Sequence, residues 1–91
     1  MATGAVMASV DDIEATILRL AEARGVGKTI CPSEAARSLA GDHPDQWGPM
    51  MPQVRQVAVR MMKDGRIVIR RKGRPVDPDD FKGVYRISVP D

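Results

Sequence analysis

Ninety-one residues, 43% of them hydrophobic, suffice for one small domain with a largely aliphatic core, because Trp47, Phe81 and Tyr85 are the only aromatic residues. The net charge of +2 hides a segregation: residues 1–52 hold four basic and seven acidic side chains, residues 53–91 ten basic and five acidic, so the local field matters more than the total. One cysteine excludes an internal disulfide framework. No window nears the roughly 18 apolar residues of a membrane span, and Met1–Val10 lacks the marks of a secretory signal, so a cytoplasmic protein is expected.

Residues 1–8 show no period and are expected to be a flexible lead-in to a single domain over 9–91. Ser9 is placed to cap a first helix, with Asp11, Asp12 and Glu14 near its positive end. Ile13, Ile17, Leu18, Leu20 and Ala21 recur at helical spacing, and Gly25 stops the helix near Arg24. Lys28–Cys31 reads as a short extended segment, since Pro32 pushes Cys31 out of helical geometry. A brief second helix, capped by Cys31 or Ser33, runs to Ala40 before Gly41. Its inward face is Ala35, Ala36, Leu39 and Ala40.

Asp42 to Met51 is turn-rich, and a third helix is expected over 52–64, beginning at Pro52, which fits only a first turn. Val54, Val57, Ala58 and Met61 define its apolar stripe. Gln53, Gln56, Arg60 and Lys63 lie opposite, with no acid among them. Residues 66–71 and 84–89 alternate, with Ile67 and Ile69 on one apolar face and Tyr85, Ile87 and Val89 on the other strand's. They predict a two-stranded β-hairpin whose connection, Lys72–Gly83, is longer than a tight turn. The order predicts an α+β fold, a winged helix-turn-helix: a three-helix bundle with a C-terminal hairpin wing.

The run Lys28-Thr29-Ile30-Cys31-Pro32-Ser33-Glu34-Ala35-Ala36-Arg37 is similar to the signature of a bacterial family known as domain of unknown function 3253. So are Trp47 with Met50-Met51-Pro52, Val54-Arg55, Gly73-Arg74-Pro75-Val76-Asp77-Pro78 and Gly83-Val84-Tyr85-Arg86. The resemblance spans roughly residues 12 to 89. It implies a small winged-helix-like domain and supplies no activity.

Between Arg55 and Arg74 stand eight basic residues and a single acid, Asp64. Such a segment suits a duplex phosphate backbone. In a winged helix, Gln53, Gln56, Arg60 and Lys63 would meet base edges in the major groove. Arg55 and Arg66 would meet phosphates, and Arg70, Arg71, Lys72 and Arg74 would form the wing. About five neutralised phosphates would give a log–log salt slope near −4 to −5. Asp77, Asp79 and Asp80 oppose this, because carboxylates repel phosphate unless the loop turns them away.

Other motifs carry less. Gly25-Val26-Gly27-Lys28-Thr29 resembles the end of a phosphate-binding P-loop, but Glu22 stands where the first glycine is needed and no strand precedes it. Cys31 and His43 cannot complete a metal shell, so no metal or other cofactor is expected. Cys31 reads as a small apolar residue rather than a redox thiol, and no catalytic constellation appears. The rival to duplex DNA binding is a protein–protein or homodimer module, for which an exposed patch of Trp47, Met50, Met51 and Phe81 would speak.

Overall fold

A computed structural model describes residues 9–90, so the lead-in expected over 1–8 lies outside the described residues. Ser9 opens α1 (Val10–Arg24) with a reciprocal cap: the Asp12 N–H donates to Ser9 Oγ at 3.1 Å and the Ser9 N–H to Asp12 Oδ2 at 3.3 Å. Two of the backbone donors that a helix start leaves unpaired are thereby satisfied. Ile13, Thr16, Ile17 and Ala21 form the buried stripe of α1.

Cys31 is the residue ahead of α2 (Pro32–Ala40), and its N–H donates to Glu34 at 2.7 Å. Ala35 and Ala36 are fully buried, and their small size lets α2 sit against both α1 and α4 (Met51–Lys63). The turn-rich segment before α4 is more regular than its prolines suggest. It forms a one-turn helix, α3 (Pro44–Trp47), then a 3-10 turn over Gly48–Met50. The three expected helices are present, and this extra turn is added between the second of them and α4. Pro44 sits at a helix start, where its missing N–H costs nothing, and His43 Nδ1 accepts the Asp45 N–H at 3.1 Å. Val54, Val57, Ala58 and Met61 are the buried face of α4, as their spacing predicts.

The expected two-stranded hairpin is corrected. The antiparallel sheet has three strands, β1 (Val68–Arg71), β2 (Arg74–Pro75) and β3 (Arg86–Ser88), in the order β2-β1-β3. Lys72 and Gly73 make a two-residue turn at φ 53° and 80°, the left-handed pair that matches strand twist in a tight hairpin. The alternation gave no sign of β2, because two residues are too few for a period and Pro75 argues against a strand. Proline is tolerated there because β2 is the sheet edge.

β3 pairs with β1 in the register Val68↔Ser88, Ile69↔Ile87 and Arg70↔Arg86. On the far side of β3, Ile30 exchanges both backbone hydrogen bonds with Ile87, at 2.8 and 3.0 Å. Ile67, Ile69 and Ile87 then meet Ile13, Ile17, Val54 and Met61 in one core. The short extended segment ahead of α2 and the apolar face of the hairpin are thus one structural unit.

Candidate nucleic-acid interface

The outward side of α4 follows from its buried side. Gln53, Gln56, Arg60 and Lys63 are all exposed. Gln53, Gln56 and Arg60 line a shallow hollow of about 90 Å³ with Val10 of α1. Lys63 is committed elsewhere: its Nζ lies 2.6 Å from Asp79 Oδ1. The aspartate loop therefore folds back onto the end of α4 and neutralises one of the four groove candidates.

Arg55 explains how that loop is held. Its Nη2 donates to the Phe81 carbonyl at 2.6 Å, and its guanidinium stacks 3.9 Å above the Phe81 ring centre. Phe81 in turn meets Tyr85 edge-on, with ring centres 5.4 Å apart. Cation–π and edge-to-face geometry both favour this stack over free solvent exposure. The Tyr85 hydroxyl is buried with no hydrogen-bond partner. Burial pushes the phenol up to about 12, with the Arg55 charge pulling the other way.

Arg66 is likewise drawn inward. Its Nη1 and Nη2 donate to the two oxygens of Glu14 at 3.2 and 3.1 Å, and Asp64 lies 3.4 Å from Nη2. This fork ties the residue after the α4 turn to α1. The hydrogen bonds from Arg66 hold the Glu14 carboxyl below its ordinary value, against the desolvation that would raise it.

In the wing, Arg70 Nε donates to Ser88 Oγ at 2.9 Å and Arg71 Nε to the Val84 carbonyl at 3.0 Å. Neither contact cancels charge. Lys72 and Arg74 are exposed on and beside the turn. Among the described residues, the side chains of Gln56, Arg60, Lys72 and Arg74 make no hydrogen bond or ion pair. Of the ten candidates, Arg55, Lys63, Arg66, Arg70 and Arg71 all make internal contacts, and the cations left open, Arg60, Lys72 and Arg74, are divided between α4 and the β1–β2 turn.

On another face, Cys31, Pro32, Met51, Gly83, Val84 and Tyr85 line an apolar hollow of about 340 Å³. Cys31 Sγ accepts a hydrogen bond from Ser33 Oγ at 2.9 Å. Val84 is 81% exposed, whereas Met50 and Phe81 are buried, so those two do not contribute to the exposed patch that would speak for a protein-binding module.

The model of the family described as Protein of unknown function (DUF3253) matches residues 10–90. The chain belongs to that family. The match takes in every helix and strand and all ten candidate residues, so the DUF3253 pattern is the whole described domain and not one motif within it. No curated protein matches the chain. The family description names no chemistry, which leaves the side chains to carry the functional argument.

Sequence reasoning missed the roles of Phe81 and Asp79. One signal was available for Phe81: a lone aromatic in a loop of Asp, Pro and Gly needs burial, and only a neighbouring element supplies it. Nothing local marked Asp79 as the partner of Lys63.

Proposed function

We propose that this DUF3253 chain is a winged-helix domain that binds double-stranded DNA through the outward face of α4 and the β1–β2 turn. The observation that carries this reading is the set of exposed side chains that make no hydrogen bond or ion pair among the described residues: Gln56 and Arg60 on α4, and Lys72 and Arg74 at the turn. The pairing of Ile30 with Ile87 supports the fold assignment, since it places an extended segment between the first two helices on the hairpin's free side. Gln and Arg on a helix suit adenine and guanine edges, and Lys and Arg on a tight turn suit phosphate.

The internal bonding of Arg55, Lys63, Arg66, Arg70 and Arg71 reduces the phosphate count expected from sequence. With Arg60, Lys72 and Arg74 as the open cations, about three phosphates are neutralised, and log affinity falls against log salt with a slope near −3. Fluorescence anisotropy with a labelled random duplex measures it. A flat dependence between dilute and moderate salt contradicts the proposal.

The rival is a protein-binding module without affinity for DNA. The exposed Val84 beside the apolar hollow favours it. Sedimentation separates the two: the DNA-binding reading expects a monomer across concentration without DNA, and self-association that a charged Val84 abolishes favours the rival.

A further inference from the structure

Three separate parts of the chain wall the apolar hollow beside Val84. Cys31 and Pro32 come from the start of α2, Met51 from the start of α4, and Gly83, Val84 and Tyr85 from the segment ahead of β3. Its volume of about 340 Å³ falls within the roughly 300–1,000 Å³ of small-molecule sites. Among the described residues, no Asp, Glu, Lys or Arg lines it.

The walls are held in place. The Cys31 N–H donates to Glu34 at 2.7 Å, and Arg71 Nε holds the Val84 carbonyl at 3.0 Å. The residues next to both rims, Ile30 and Arg86, are tied by the Ile30–Ile87 backbone pair and by the bond from Arg86 Nε to Thr29 Oγ1. The Tyr85 ring rests edge-on against Phe81. Walls fixed in advance spare a ligand the cost of ordering them.

One polar group in these walls lacks a partner. Tyr85 is only 6% exposed, and its hydroxyl makes no hydrogen bond. Buried polar groups are nearly always paired, so an occupant that accepts this donor satisfies a need the fold leaves open. Besides burial and the Arg55 charge, Cys31 acts on this phenol, which sets the hydroxyl near a group that lines the hollow. Cys31 Sγ already accepts from Ser33 Oγ, so the hydroxyl is the donor left over. Met51, unbranched and able to repack, is the wall that shifts to let a ligand reach it.

The geometry points to a small-molecule site in this hollow, for a compact, uncharged, mainly apolar molecule that offers one hydrogen-bond acceptor to the Tyr85 hydroxyl. A charged ligand is excluded because no charged side chain in the walls offsets its desolvation. None of the residues proposed for the duplex lines the hollow, so this site and that reading stand or fall separately.

Acetophenone and ethylbenzene, similar in shape and differing in the acceptor, test it by NMR titration of the isotopically labelled chain. Both are expected to shift the Cys31, Val84 and Tyr85 amides in a saturable way, acetophenone binding about fivefold more tightly. Tyr85→Phe removes only an unpaired hydroxyl and is expected to erase that preference. Val84→Asp, a change at the exposed lip, is expected to weaken both probes about tenfold.

Saturable shifts at these amides, with an acetophenone preference that Tyr85→Phe abolishes, support the site. Equal binding of the two probes by the wild-type chain overturns it, and so does a preference that survives in Tyr85→Phe. Silence at these amides overturns it as well. Silence accompanied by self-association that Val84→Asp abolishes in sedimentation assigns the hollow to a protein partner instead.

Discussion

Arg55 shows how a basic residue in a charged run can serve the fold. Its guanidinium bonds the Phe81 carbonyl and stacks on the Phe81 ring, so Arg55→Ala should cost about 2 kcal/mol in chemical denaturation, combining a charged hydrogen bond with a cation–π contact. Arg55→Lys should recover only part, because an ammonium lacks the planar fork. A loss below a few tenths of a kcal/mol would show that the loop holds without this clamp. Tyr85 makes the opposite case. Its buried hydroxyl is unpaired, so Tyr85→Phe should leave thermal stability unchanged or raise it. Because burial raises the folded-state phenol from 10.0 to about 12, its contribution is fully present below pH 10 and is lost as pH climbs toward 12. The phenylalanine variant should lose less stability across that alkaline interval, and equal losses would contradict the burial. For Glu14 the sign reverses. Its folded pKa is lowered from 4.5, so its stabilisation is present above that value and is lost as pH falls through the lowered one. Glu14→Gln should flatten the acid side of a stability–pH curve measured by thermal melting.

At the scale of elements, helix starts and faces were legible because their causes are local. Ser9 and Asp12 cap each other within one turn, and the Val54–Met61 stripe repeats every three to four residues. The path of the chain from Val76 to Tyr85 was not legible, since it is fixed by Arg55, 26 positions before Phe81, and by the Lys63–Asp79 pair. Short-range patterns carry no record of such partners. The β1–β2 turn lay between: Lys72-Gly73 has a glycine where a left-handed turn needs one, but Lys in place of Asn or Asp hid the signal. The Lys63–Asp79 pair has a functional consequence. Asp79→Asn should leave stability within ~1 kcal/mol, as exposed ion pairs contribute little. The same change frees Lys63, and the salt slope of duplex binding should steepen by about one. An unchanged slope would show that Lys63 does not face the phosphates.

Over the whole molecule, charge and fold divide the chain differently. The basic half supplies α4 and the wing, while the acidic half supplies Glu14 and Glu34, which bind Arg66 and Arg24. Several of the cations that made the sequence look like a nucleic-acid binder therefore hold its parts together. What remains for a partner is a smaller set in two places, α4 and the β1–β2 turn, and the duplex reading requires that both touch one ligand. Salt-dependent anisotropy of a single duplex with the wild-type chain, Arg60→Gln and Lys72→Asn tests this directly, asparagine being chosen because it tolerates the left-handed turn that Lys72 occupies. Each variant should bind more weakly with a slope shallower by about one. Wild-type binding that ignores salt, or a slope that either variant leaves untouched, would contradict a shared surface.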